Sequence, residues 1–381
     1  MRMPDSSEKC NQSLFSQSCE VGNGKFEPHI KAAEALLVRH SCANPFREKI
    51  VSCKSPAYEK FIQEIDGLAL DKSLSTIEIS LPSYIPIVDG RVNKLSQFAI
   101  PSPVIGVTLR NVIKGGAKFK AGTWHEVKEI SFNLSFLLNN AIRGKKAILL
   151  SSGQDALIEN LWYEREDVGL FEHLAAMGFV AMTGINFSII KGECPLGQAI
   201  NHKKGLYSAY LAEQAGLASI PHVYSVNEFD LKRWIDYLIK NPQIRIISMN
   251  CQLQKSTADI DTVVTAITTI LGNVPSDLHI ILTGFELPQI YRFGRFLSRI
   301  HFADKAAIKS AQSHKIFRVD IEKVQIYEEF SQSDMNTLTP HNINQRQMYI
   351  ELVKQKILEG YKIPEDIELL LRLQITSNHS S

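Results

Sequence analysis

The sequence predicts a parallel β/α barrel-like fold of TIM type, regular or irregular, with N-terminal and C-terminal helical extensions. Three observations point there. Short apolar runs without polar alternation recur from about Gly144 to Asp320, as expected of strands buried on both faces. Amphipathic helical patterns lie between them, at a spacing of roughly 20 to 40 residues that suits a repeated βα unit with right-handed crossovers. Counted with the apolar run Ser102–Leu109, the strands number about seven or eight, which suits an eight-stranded barrel. A doubly wound open sheet is the alternative; no GxGxxG follows any of these strands, which counts against a dinucleotide-binding domain.

Taken in order, the strands are Lys146–Ser152, Phe179–Gly184, Ala218–Ser225, Ile244–Asn250 and Leu278–Gly284, then short ones near Ile300–Phe302 and Lys315–Val319. Helices fill Ala156–Met177, the region of Leu206–Leu211 up to Gly216, and Leu231–Leu238. A further helix carries Ile260, Val263, Ile267 and Ile270 on one stripe before Gly272, and another spans Gln289–Ser298. Ser225-Val226-Asn227-Glu228 has the form of a capping box.

Outside this core the pattern changes. Residues 1–25 are polar and read as disordered. Residues 26–100 form an N-terminal extension with helices at Pro28–Arg39 and Ala57–Ile65 and a β-type run at Ile77–Val88. The barrel-like domain is expected over 101–320 and a helical tail over 321–381, with helices at Gln345–Leu358 and after Pro364. Val112–Trp124 is basic and glycine-rich but lacks the order of a P-loop, so no phosphate cradle follows; a surface hairpin or loop is the plain reading.

Composition narrows the function classes. With 42 basic and 40 acidic residues the net charge is +2, so no global field attracts nucleic acid or an acidic membrane, although a local basic groove can. No apolar run reaches the roughly 18 to 20 residues of a membrane span, and the polar start lacks a signal-peptide core, so a soluble, cytoplasmic protein is expected. Six scattered cysteines without a CxxC pair suit reduced thiols, and those before position 54, with His29 and His40, match no common zinc spacing.

Ligands of parallel α/β folds bind beyond the carboxyl ends of the strands. The polar residues expected there are Ser151, Ser152, Gln154 and Asp155; Thr183, Asn186 and Ser188; His222, Tyr224 and Ser225; Asn250, Gln252 and Lys255; Thr283 and Glu286; and Asp304. Asp155, His222 and Glu286 are the candidate catalytic residues; Asn186, Ser188, Asn250, Gln252 and Lys255 are the candidate substrate-binding residues. Each has a plain alternative. Asp155 and Glu286 can serve a helix start, His222 can be a hydrogen-bonded core residue, and Lys255 can be solvated. No metal-ligand pattern stands at the strand ends and no cofactor is identified.

One stretch carries a resemblance. Asn186-Phe187-Ser188 follows a strand; Pro195, Asn201 and Lys203-Lys204 come next; then Gly216 precedes Ile220-Pro221-His222-Val223, with Trp234 and the strand at Ile244 in the same order. Over about Ala147 to Gln254 this resembles a poorly characterised bacterial and phage-associated family of unknown function. The family's acidic residue before Phe-Ser is replaced here by Asn186. The resemblance implies the fold and a mobile-element or phage-defence setting, and it brings no reaction with it.

Three functions remain open at this point. One is a barrel enzyme acting on a small molecule or nucleotide. The second is a nucleic-acid-associated protein using Lys114, Lys118, Lys120, Arg143, Lys145 and Lys146 for phosphate contacts. The third is an interaction module docking through the C-terminal helices.

Overall fold

A computed structural model describes residues 62–120, 123–189, 195–252, 254 and 256–360. Eight parallel strands form a nearly closed barrel-shaped sheet with helices around it. They are β1 (Tyr84–Val88), β2 (Val104–Thr108), β5 (Lys146–Leu150), β6 (Ala181–Thr183), β7 (Ser219–Ile220), β8 (Ile246–Asn250), β9 (His279–Thr283) and β10 (Ile300–Asp304). Their order in the sheet follows the chain, and β1 pairs with β10, Tyr84 opposite Phe302. The remaining seam, between β7 and β8, is bridged at one residue pair, His222 and Ser248.

Period-two alternation sorts the strand residues. Ile85, Ile87, Val104, Ile148, Leu150, Ala181, Ile220, Ile246, Ile281 and Ala303 form one buried cluster, which fills the barrel. Their neighbours Tyr84, Val88, Ile105, Val107, Leu149, Ile280, Leu282 and Phe302 belong to a second, larger cluster between sheet and helices. Both faces are covered, which is why these strands read as continuous apolar runs rather than alternating ones.

The helical shell consists of the short α1 (Leu109–Val112), then α2 (Asp155–Glu164), α3 (Leu170–Ala176), α4 (Pro195–Gln214), α5 (Glu228–Lys240), α6 (Thr257–Asn273) and α7 (Ala306–Gln312). Between β9 and β10 the chain makes 3-10 turns over Leu287–Arg299, broken at Gly294, in place of the regular helix expected there. The cap of α5 is Asn227, whose side chain accepts from the Asp230 N–H, and not Ser225. Gly272 lies inside α6, which continues to Asn273.

The barrel begins earlier than the sequence indicates. Its first strand is the second half of the run Ile77–Val88, well before position 101. The first half is extended without strand pairing. Ile77, Ile79 and Leu81 pack against the barrel cluster together with Val180 and Ala218, which precede β6 and β7, so this segment closes the amino-terminal end. Upstream of it the chain runs as a strap along the helices. The Arg233 guanidinium donates to the Leu68 carbonyl at 2.7 Å and the Tyr237 hydroxyl to that of Lys72 at 2.8 Å; Ser75 N–H donates to Glu213 at 2.9 Å. The expected helix at Pro28–Arg39, most of that at Ala57–Ile65 and the disordered stretch 1–25 lie outside the described residues.

The strand near Lys315 is not part of the barrel. β11 (Lys315–Asp320) pairs antiparallel with β12 (Gln325–Phe330), so the tail starts as a hairpin rather than as helices. Helix α8 (Met335–Leu358) follows. It docks back on the barrel: Gln347 accepts from the Tyr84 N–H at 2.9 Å, and Arg346 pairs with Asp304. Asp304 also accepts from the Tyr84 hydroxyl and the Ala306 N–H, both at 2.8 Å. This carboxylate therefore ties barrel to tail and is withdrawn from the strand-end rim where the sequence places it. The helix expected after Pro364 lies outside the described residues. A second hairpin, β3 (Ile113–Lys120) and β4 (Thr123–Phe132), is inserted after α1.

Two positions test this architecture. Gly284 follows β9 at φ +76°, and a Cβ there would stand 2.5 Å from Gln252 Cγ and 3.0 Å from its Cα. Gly284→Ala is expected to destabilise by about 1–3 kcal/mol, read as a fall in the urea midpoint at unchanged slope.

At the closed end, a carbonyl fixes the tautomers of two histidines. Pro82 O can only accept, so His301 Nδ1 donates to it at 2.9 Å, and the His301 Nε2 lone pair accepts from His279 Nδ1 at 2.9 Å. Burial pushes His301 down to about 4 and also lowers His279, which the Arg299 charge lowers further. The unfolded chain then binds more protons than the folded one below about pH 6.5, so stability is full above that pH and falls as pH drops toward 4. Urea titrations from pH 7 to 4 should show this loss, and His301→Asn should flatten it.

Candidate functional site

The carboxyl ends of β5 and β6 meet the start of α2 and the middle of α4. The Ser151 N–H donates to Thr183 Oγ1 at 2.8 Å and the Asn186 N–H to the Ser151 carbonyl at 2.9 Å, which holds the loop after β6 over the end of β5. Helix α4 crosses this loop at the closest approach backbone allows. A Cβ on Gly184 would stand 2.5 Å from the Gly205 carbonyl oxygen, so glycine is needed there. Ser208 Oγ accepts from the Ile185 N–H at 2.7 Å and fixes the crossing.

Helix α4 buries many polar side chains among its apolar ones. Gln198, Asn201, His202, Lys203, Lys204 and Ser208 are all buried. Such groups are costly to bury unless partnered, and their partners sort them by role. Lys203 pairs with Asp71 and donates to the Ala69 carbonyl, which fastens the strap. His202 Nδ1 accepts from the Trp234 indole N–H at 3.2 Å, and its Nε2 lies 3.4 Å from Asp230, which joins α4 to α5. Lys204 points the other way. Its ammonium donates to Glu159 of α2 at 2.6 Å, with both side chains buried, and stands 4.1 Å from the centre of the Phe187 ring.

Beside this pair the candidate residues come together. Ser188 Oγ donates to Asp155 at 2.6 Å, and Asn201 Nδ2 donates to the Ser188 carbonyl at 2.9 Å. Asp155 does not cap α2: it is the first helical residue, after Gln154, and its half-buried carboxylate faces the loop from β6. Trp162 meets the Phe187 ring edge-on at 5.5 Å and walls the cluster.

A second group lies at the seam. His222 and Ser248 share a register position and point the same way as Ile220 and Ile246, into the barrel. Their side chains are joined, His222 Nδ1 to Ser248 Oγ, at 3.0 Å. Ser248 Oγ also reaches the Pro221 carbonyl at 3.4 Å. That carbonyl can only accept, so the network is satisfied when the serine proton goes to it and His222 Nδ1–H donates to the serine oxygen. The lone pair of His222 Nε2 is then free, and this atom is buried without a hydrogen-bond partner. Burial pushes the His222 imidazole down to about 4, with a smaller push from His202, so it is neutral at pH 7. Ser151 Oγ, across β6 at the end of β5, is likewise buried and unpartnered. Native proteins leave few such atoms, and these two lie at strand ends on either side of β6.

The other predicted residues are spread around the rim. Asn250 ends β8 and accepts from the Gln252 N–H at 3.0 Å; Gln252 is exposed, with its backbone against Gly284. Glu286 is exposed ahead of the 3-10 turns and caps nothing with its side chain. Lys255 and Cys194 lie outside the described residues. Cys251 is buried, and burial raises its thiol far above the usual range, which removes it as a nucleophile. No group of three metal-ligating side chains occurs among the described residues, and no helix there is long and apolar enough to cross a membrane. A groove between the α2–α3 turn and α4, lined by Arg165, Glu172, Leu211 and Gln214, belongs to the helical shell and not to the strand ends.

Sequence reasoning missed the Glu159–Lys204 pair as a site feature. A signal was present: α4 lacks a sharply defined apolar stripe, because polar residues share its buried positions with Ile200, Leu206, Ala209 and Ala212. Compared with known proteins, the chain matches no protein-family model and no curated protein. Fold and site together define a β/α-barrel protein with a polar, partly unsatisfied cluster at the carboxyl ends of its strands.

Removing one partner of the buried pair, by Lys204→Met or Glu159→Leu, is expected to cost about 3–5 kcal/mol. The double variant should recover most of that loss in a double-mutant cycle by chemical denaturation. Single variants as stable as the parent would show the pair to be solvated in solution.

Proposed function

We propose that the protein is a barrel-type enzyme acting on a small molecule or a nucleotide held at the carboxyl ends of β5 to β8. The observation that carries this reading is the pair of buried, unpartnered polar atoms, His222 Nε2 and Ser151 Oγ, beside the Asp155–Ser188–Asn201 chain of hydrogen bonds. A fold that needed these residues only for packing gains nothing from leaving those atoms unsatisfied.

In this reading Asp155 is the acid/base carboxylate. Ser188 orients it, as Asn201 orients the Ser188 backbone. His222, neutral at pH 7 and held through Nδ1 by Ser248, offers Nε2 as a hydrogen-bond acceptor or proton acceptor. Asn186, after β6, and Asn250, at the end of β8, orient polar groups of the ligand. Phe187 and Trp162 exclude water on the helix side and strengthen the electrostatics there. Glu286 stands exposed at the rim.

The test uses a panel of nucleoside phosphates, sugar phosphates and small carboxylates at millimolar concentration, read by thermal shift on the full chain. A ligand at 100 times its dissociation constant stabilises by about 2.7 kcal/mol, a shift of several degrees. Asp155→Asn and His222→Gln should keep the parental melting temperature without ligand and lose the shift, together with any turnover of the same compound. Variants that respond and turn over like the parent would sink the assignment.

A further inference from the structure

Strand alternation carries the inward-facing positions of β1 and β10 on to the mouth of the barrel, where they bear charge. Ile85 and Ile87 of β1 belong to the cluster inside the barrel, and Asp89, two positions on in extended backbone, has the same parity. Ala303 of β10 belongs to that cluster too, and Lys305 follows it at the same parity. β1 and β10 are neighbours in the sheet, and β2 lies on the other side of β1. Arg91 follows in the 3-10 turn after β1, and Arg110 stands in α1, directly after β2. The Lys305 ammonium lies within the field of Asp89, Arg91 and Arg110, so the ends of three adjacent strands bring these four charges together.

The one carboxylate of the group is already engaged. Asp89 accepts from the Arg91 N–H at 3.0 Å and pairs with the Arg91 guanidinium, which Gln312 of α7 also holds. Asp304, next to Lys305 in the chain, pairs with Arg346 on the outer face. Lys305 is half-buried and Arg110 exposed, and neither side chain makes a hydrogen bond or salt bridge among the described residues. Burial lowers the Lys305 ammonium; Asp89 opposes this, and the charges of Arg91 and Arg110 add to it. Other lysines withdrawn from water are answered by a carboxylate: Lys203 by Asp71, Lys204 by Glu159 and Lys354 by Glu351. A half-buried ammonium beside two guanidinium groups and without such a partner is costly unless a further anion stands there. Three cations and one carboxylate leave two positive charges, which match a dianion. The basic residues Arg143, Lys145 and Lys146 take no part, since they lie at the start of β5, the opposite end of the barrel.

We propose that Lys305, Arg110 and Arg91 bind the phosphate group of a small phosphate monoester, whose remaining part lies over the ends of β5 and β6. β2 pairs with β5, Thr108 opposite Leu150, so the anion site begins one strand spacing, about 5 Å, from the strand that leads to Asp155. A phosphate dianion accepts from an ammonium and from guanidinium groups at once, and cations in a partly dehydrated mouth hold it more strongly than cations in open water. Arg91, fixed by Asp89 and Gln312, sets the position; Lys305 and Arg110 supply donors that have no other partner. The proposal rests on the reading of the carboxyl end as a ligand site and names the class of ligand it takes.

Titration calorimetry of the full chain at constant ionic strength tests it with inorganic phosphate, acetate, and a panel of sugar phosphates and nucleoside monophosphates. The parent should bind phosphate but not acetate, and at least one monoester more tightly than inorganic phosphate. Lys305→Gln and Arg110→Gln should each weaken phosphate binding by about 10-fold or more. Without phosphate, Lys305→Gln should melt at or above the parental temperature, because it leaves no partner unsatisfied. Lys145→Gln, at the amino-terminal end, should match the parent throughout. Asp155→Asn should bind inorganic phosphate as the parent does, so a failure of the catalytic assignment and a failure of this site are read separately. Absent binding at about 20 mM phosphate, a Lys305→Gln variant that binds like the parent or melts well below it, acetate bound as tightly as phosphate, or inorganic phosphate bound more tightly than every monoester would each overturn it.

Discussion

Two backbone hydrogen bonds close the ring of strands: the Val223 N–H to the Ser248 carbonyl at 2.8 Å and the Ser248 N–H to the Pro221 carbonyl at 2.9 Å. Every other junction of the sheet has at least two paired positions in register. A parallel sheet left open here would expose unpaired amides and carbonyls on β7 and β8. Closing the ring at this point removes that edge and gives the lumen a fixed width. It also brings His222 and Ser248 to the same height, inside the barrel. The thinnest junction and the group with an unpartnered ring nitrogen coincide just beyond the two-residue strand β7.

The buried polar residues of α4 are the second organising feature. An ordinary barrel helix buries mainly aliphatic side chains, whereas α4 buries an ion pair, a histidine and hydroxyl and amide groups alongside Ile200, Leu206, Ala209 and Ala212. Gly184 and Gly205 let it approach closely, so these groups reach the ends of β5 and β6 directly. Lys203 and Lys204, adjacent in sequence, go to opposite duties. One anchors the strap that seals the amino-terminal end; the other is buried against Phe187 and Glu159. The same helix therefore links the closure of one end of the barrel to the layout of the other.

The barrel was legible because strands covered on both faces leave apolar runs that need no partner to be recognised. Six of the eight strands stand out that way, from the run at Ser102 to that at Leu278. Lys315–Val319 misled because a strand in an outlying hairpin has the same composition as a barrel edge, and only pairing tells them apart. The start at Tyr84 was hidden because Pro82 and Pro86 break up the run in which β1 lies. Strand-end position picked out Asp155 and Ser188, which a hydrogen bond joins, and His222, which pairs with Ser248 across the seam. It also selected Asp304, which faces outward to Arg346, because one residue of parity decides between lumen and shell. Glu159 and Lys204 stayed hidden, since a buried salt bridge between two helices leaves two ordinary charged residues in the sequence.

The docking of α8 on β1 has a bearing on how the molecule is made. Tyr84 is held by Gln347, and through Asp304 by Arg346, residues more than 250 positions later. β1 also needs β10, more than 200 positions later, as its neighbour. During synthesis the first strand must wait, with one edge open, until nearly the whole described chain has left the ribosome. Contacts of such sequence separation form slowly and expose sticky intermediates. A chain that stops ahead of α8 lacks the clamp on its first strand.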